Sequence, residues 1–151
     1  MTQQNNFGYP PGGFQQPPQV SFDAYGNQIP ADAKTISVLS HLSSLVLYLL
    51  TASTLSFVGP LIFWFIYRSK PNYAFVTANS ARAFNFNLTM WVINIAAGLL
   101  ALVTFGLALP ISGLVWLATT VCVFVFHIIG AVKSNNGEVY HYPLQIKVLK
   151  D

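Results

Sequence analysis

Asn79-Ser-Ala-Arg-Ala-Phe-Asn-Phe-Asn87, running on into Leu88-Thr-Met-Trp-Val-Ile-Asn94, decides what kind of object this chain is. It sets an arginine and three asparagines at the mouth of a long apolar run, and a fourth asparagine well inside it. Polar groups carried into a helix of hydrocarbon length are costly. The stretch is therefore either a place where helices bond to one another or a place where something else binds.

Working outward, the 151 residues are 54% apolar and only 7% charged, against roughly a quarter charged in soluble domains. From Lys34 onward the charges fall in short clusters, and the segments between them are long enough to cross a bilayer. A net charge of +3, dispersed along the chain, speaks against a nucleic-acid partner. Cys122 is the single cysteine, set among Val121, Val123 and Phe124, where a thiol stays neutral and inert.

Residues 1–33 are rich in Gln, Pro, Gly and Asn and lack apolar periodicity, which predicts a disordered tail. Phe7, Tyr9, Phe14, Phe22 and Tyr25 recur in it, but the prolines come as pairs without PxxP spacing. The first 22 residues contain no Lys or Arg and no apolar core, so the first hydrophobic segment is expected to act as the insertion signal. Asp32 is a candidate N-cap. From Thr35 to Tyr67 no charge occurs; as one helix this run would measure about 50 Å, too long for a core of about 30 Å. A short hairpin of two spans is expected instead, turning at Thr51-Ala-Ser-Thr54, with Gly59-Pro60 near the start of the second helix (about Leu55 to Tyr67). A third helix is expected from near Tyr73 or Phe75 to about Phe105, its first part lying along the interface and entering the membrane near Arg82. A fourth is expected from Ile111 to Val132, with Asn135-Asn-Gly137 as its stop.

The predicted fold is thus all-α: a polytopic membrane protein with four transmembrane helices over 34–138, and an interfacial basic tail over 139–151. Leu144, Ile146 and Val148 alternate along that tail. With four spans, all seven basic residues fall on one side, which the positive-inside rule makes cytoplasmic. Both termini are then cytoplasmic, in a multi-pass protein of the cell's inner membrane.

On a helical wheel, Asn79, Ala83, Asn87, Met90, Asn94 and Ala97 share one face of the third helix, and Arg82, Asn85 and Thr89 form a strip beside it. Two readings stay open: a polar path or binding patch, or amides bonding to neighbouring helices with Arg82 reaching the headgroups. His41 and His127 lie about 10 Å inside the cytoplasmic boundary and are expected to meet near Arg82 and Asn85. Two histidines without Cys or carboxylate make a poor metal site. No span holds Asp or Glu, and no paired carboxylates, nucleophile elbow or phosphate loop occurs. No catalytic residue, cofactor or metal is expected. Ala97 and Ala101, with Ala96 and Gly98, suit close helix packing.

Three local signatures carry a resemblance: Ser37-Val-Leu-Ser-His-Leu-Ser43, Ala83-Phe-Asn-Phe-Asn87 and Lys133-Ser-Asn-Asn-Gly-Glu-Val-Tyr-His-Tyr-Pro-Leu144, set around Gly59-Pro-Leu-Ile-Phe-Trp64. Together they resemble a bacterial family of small four-helix membrane proteins of unknown function, distantly similar to the Tic-twenty-type component of the chloroplast inner-envelope import machinery. The chain departs from that pattern at Asn79, Arg82 and Asn87, where members often carry histidine, an acidic residue and glutamine. The resemblance implies an accessory or translocation-related membrane component and supplies no catalytic residue. From the residues themselves, the leading expectation is a non-enzymatic membrane protein working through helix–helix contacts, in the bilayer, as a homo-oligomer or within a larger membrane complex. The alternatives are an oligomeric pore or transporter, and an envelope or lipid-stress factor.

Overall fold

The uncharged run after Lys34 does turn back on itself. In the computed structural model, which describes residues 19–150, it forms α1 (Ala33–Leu50) and α2 (Val58–Tyr67), joined by a turn at Thr51–Phe57. Ala52 and Ser53 adopt positive φ there. The turn satisfies its own polar groups: Thr51 Oγ1 donates to the Leu47 carbonyl and accepts the Leu55 N–H, and Ser53 N–H donates to the Tyr48 carbonyl. Such internal closure is what a non-helical segment needs away from water.

Two long helices follow, α3 (Ala74–Val103) and α4 (Leu109–Asn135), separated by a break in which Phe105 and Gly106 take positive φ. Pro110 falls in the first turn of α4, where a missing N–H costs least. Three helices, α1, α3 and α4, are long and apolar enough to cross a membrane. The 10 residues of α2 reach only about 15 Å, half the hydrocarbon core. The second expected span is therefore a half-length helix. α3 is the centre of the bundle and touches all three others; α1 also packs on α4 and α2.

The basic clusters gather at one end. There the Tyr73 hydroxyl donates to the Asp32 carboxylate, so Asp32 ties the start of α1 to that of α3 and makes no side-chain cap of its own. The chain leaving α4 is held at the same end, where Arg82 bonds to His141.

Residues 20–30 correct the expectation of a featureless tail up to residue 33. Val20–Phe22 (β1) and Gln28–Pro30 (β2) pair antiparallel. The Asp23 carboxylate accepts the backbone N–H of Tyr25 and Asn27 and the Asn27 amide, and Gly26 has φ +83°. These bonds, that of the Asn27 side chain most of all, hold the Asp23 carboxyl below its ordinary value. Ile29 is buried with Ala33, Ile36, Phe75 and Val76. An Asx turn plus one buried isoleucine orders what the Gln/Pro/Gly composition reads as disorder. The expectation for residues 1–18, with Phe7, Tyr9 and Phe14, lies outside the described residues.

The hairpin is fastened at Gly137. Its φ of +83° ends α4, its carbonyl accepts the Ala24 N–H at 3.0 Å, and a Cβ there would stand 2.8 Å from that same nitrogen. Gly106 has a similar φ but only the Leu109 side chain nearby. Gly106→Ala should therefore cost about 1 kcal/mol, and Gly137→Ala about 1–3 kcal/mol more than that. Unfolding titrations of the two variants in detergent measure the difference; equal losses would mean that hairpin docking contributes nothing.

Candidate functional site

The two strips of α3 each acquire a partner. The inner strip faces α1 and α4. Asn79 and Asn87 are fully buried there, together with His41 of α1 and His127 of α4. The histidines meet as expected, their ring centroids 5.9 Å apart, but beside Asn79 and Asn87 rather than Arg82 and Asn85. Between them stands Tyr142, from beyond α4, with its Oη 2.8 Å from Nδ1 of each ring. Its phenol ring stacks on Phe86 at 4.5 Å.

Donors and acceptors can be followed through this cluster. The Asn87 Nδ2 donates to Ser44 Oγ (2.8 Å) and to the Ser56 carbonyl, so its Oδ1 faces His127 Nε2 at 3.0 Å and requires an N–H there. A neutral His127 then accepts at Nδ1, and the Tyr142 hydroxyl donates to it. With its proton on Nδ1, neutral His41 donates to the Tyr142 oxygen and is left with a bare Nε2, 3.4 Å from the Asn79 Oδ1 and 3.1 Å from Ser134 Oγ. Asn79 Oδ1 is an acceptor too, since its Nδ2 donates to the Phe75 carbonyl and Tyr140 N–H donates to it. One hydroxyl proton, that of Ser134, must serve both acceptors. The neutral cluster is one donor short, and the tautomer of His41 decides whether the shortfall falls on its own Nε2 or on His127 Nδ1. Gly130 leaves the room: a Cβ there would lie 3.0 Å from the His41 ring and 3.2 Å from Tyr142 Oη.

The outer strip holds the C-terminal segment. Arg82 Nη1 lies 3.0 Å from His141 Nδ1 and reaches the Val139 carbonyl. Thr89 Oγ1 accepts the Ile146 N–H at 2.8 Å. Asn85 works as a strand mimic: its Oδ1 accepts the N–H of Val148 and Leu149, and its Nδ2 donates to the Leu149 carbonyl. From Arg82 to Thr89 is about 10 Å along the helix. The segment thus dips beside α3 and returns, tied at each step by a side chain. The C-terminal tail is docked on α3, and Arg82 bonds to it. Leu144, Ile146 and Val148 do face outward, more than half exposed.

Asn94, the deepest polar residue, is half-buried, and its Oδ1 accepts from Thr119. Ala97 and Ala101 meet α4, where Ser112 Oγ donates to the Ala97 carbonyl. The bundle is polar inside and apolar outside: Asn79, Asn87 and both helix-borne histidines are at 0% exposure, whereas Leu50, Leu102 and Leu109 are above 60%.

Residues 32–149, which include all four helices and the C-terminal segment, match the model of the magnetosome magnetite crystal formation protein family. The chain belongs to that family. No curated protein and no solved structure matches it. Membership and the three apolar helices together make it a membrane protein. The matched region runs from Asp32, at the head of α1, to Leu149, whose N–H sits on Asn85. The C-terminal segment is therefore inside the family unit, and the β-hairpin is outside it.

Sequence reasoning named Asn79, Asn87, His41 and His127 but missed Tyr142, Ser44 and Ser134. Ser44 lies three residues after His41 on the same face of α1, a spacing that was there to read. Tyr142 belongs to the Tyr-His-Tyr-Pro-Leu signature, in a tail whose sequence suits the membrane interface as well as a core. Tyr142→Phe keeps the stacking and removes the bridge, and should cost about 1–3 kcal/mol in unfolding free energy. Asn85→Ala should leave the bundle folded but raise proteolysis after Lys147 about tenfold, as read by limited digestion of the detergent-solubilised protein.

Proposed function

We propose that this chain is a non-enzymatic, multi-pass protein of the inner membrane that acts by contact, as a homo-oligomer or as an accessory component of a larger membrane assembly. One observation carries the reading. Tyr48, near the end of α1, bonds to Thr120 of α4 at 2.6 Å, so the outer halves of α3 and α4 run on past the α1–α2 turn. Beyond it they pack on each other and expose apolar side chains such as Ile95, Leu99 and Leu114. Set in this apolar surface is the Asn94 amide, whose Nδ2 has no partner among the described residues. In hydrocarbon an unsatisfied N–H donor is expensive, and bonding to another helix relieves it. One turn on, Gly98 meets open space, as does Gly113 on α4, and small residues let a second helix approach closely. The Asn94 Oδ1 has a second lone pair, so two copies could exchange amide bonds there.

The gathering of the basic residues at one end supports a cytoplasmic side for both termini. The family's description speaks of magnetite crystal formation in magnetosomes. Carried to this chain, it favours work on the bounding membrane over contact with mineral. Of four carboxylates in the sequence, Asp23, Asp32 and Glu138 are already engaged by Asn27, Tyr73 and Lys133. A translocation-related role is a finer form of the same proposal, supported by the sequence resemblance alone.

Oxidative crosslinking in intact membranes tests the proposal. In a Cys122→Ser background, Gly98→Cys should give a discrete adduct with itself or one partner, while Leu42→Cys on the opposite face should not. Absence of any adduct at Gly98, or equal adducts at both positions, would sink the idea.

A further inference from the structure

We infer that the basic end of the bundle carries a binding site for a phosphate-bearing anion, the headgroup of an anionic lipid or a free phosphate. A cavity of about 490 Å³ opens there between the end of α2, the start of α3 and the end of the C-terminal segment, lined by Trp64, Arg68, Lys70, Asn72, Thr77 and Lys150. Three cations surround it, and among the described residues no carboxylate lines it. The acidic side chains that the structure describes are engaged elsewhere, on Asn27, Tyr73 and Lys133. Arg68 and Lys70 are held in place by aromatic faces instead: Arg68 over Trp64 and Phe65 at 4.9 and 4.6 Å, Lys70 over Tyr67 at 4.3 Å. This arrangement orients positive charge without neutralising it.

Two further donor-bearing features border the same space. The Trp64 Nε1 is cut off from solvent and makes no hydrogen bond, although a buried indole N–H usually finds an acceptor. The first turn of α3 starts at Ala74 with no side-chain cap, and its Ala74 and Thr77 line the cavity, which places the positive end of the helix dipole beside it. Cations, an orphaned indole donor and an open helix start share one complement, an oxygen-rich anion. The cavity lies within the size range of small-molecule sites. Its place beside the α2–α3 turn, flanked by Tyr67 and Tyr73, is the level where headgroups meet aromatic side chains. The site is separate from the Arg82 strip and from the histidine cluster.

The test uses the full-length protein in detergent, with thermal stabilisation titrated by three probes: short-chain phosphatidate, short-chain phosphatidylcholine and inorganic phosphate. Phosphatidate should stabilise and phosphatidylcholine should not. Stabilisation by phosphatidate alone identifies a lipid source, and stabilisation by inorganic phosphate as well identifies the phosphate group itself as sufficient. Replacing Arg68, Lys70 and Lys150 together by Gln should weaken the apparent affinity by at least about tenfold, and Trp64→Phe by about fivefold. A control pair of equal chemistry away from the cavity, Lys34→Gln with Lys147→Gln, should keep wild-type affinity. The inference fails if neither phosphatidate nor inorganic phosphate stabilises, if phosphatidylcholine does so equally, or if the control pair loses as much as the triple variant.

Discussion

Two imidazoles and a phenol meet where water does not reach, and each depends on polar partners brought by other elements of the chain. His41 comes from α1, His127 from α4, their amide partners Asn79 and Asn87 from α3, and the bridging Tyr142 from the segment after α4. Apolar surfaces give little preference among helix rotations in hydrocarbon, because lipid tails are as apolar as leucine. A hydrogen-bonded cluster does discriminate. Turning any of the three helices by one residue, about 100°, carries its contribution off the axis. Each bond contributes on the order of 1 kcal/mol in such bundles, so the cluster sets register more than it adds stability.

Much of this was legible in the residues, because the features concerned are local and periodic. A charge-free run too long for one helix has to turn, and it turns at Thr51. The helical phase of Asn79, Asn87, Arg82, Asn85 and Thr89 separates them into two strips, and the two strips have two different neighbours. What those neighbours are is not written in any period. Tyr142 reaches His41 across more than a hundred residues of chain, and nothing in its own surroundings distinguishes a core phenol from an interfacial one. The β-hairpin is a different kind of miss. Asp23, Gly26 and Asn27 carry turn chemistry within five residues, but the composition of the longer segment outweighed them.

The bundle is unequal along its length. At one end lie the docked hairpin, the half-length α2, the C-terminal segment and all the basic clusters. At the other, α3 and α4 continue as a bare pair joined at Phe105 and Gly106. Bonds among described side chains are dense at the first end and sparse at the second, where Thr119 to Asn94 and Ser112 to Ala97 are the main links. Side-chain bonding and charge are concentrated at one end of the bundle, and the exposed apolar surface of α3 and α4 lies towards the other.

The position of Tyr142 in the chain also orders events in time. All four helices leave the ribosome before it does. Before it docks, His41 and His127 have their Nδ1 atoms unmet, and Asn85 and Thr89 have no backbone to hold. The last-made part of the family unit is therefore the part that closes the first-made helix to the fourth. A partner that engaged the bundle before this segment docked would meet a looser object than one that met it closed.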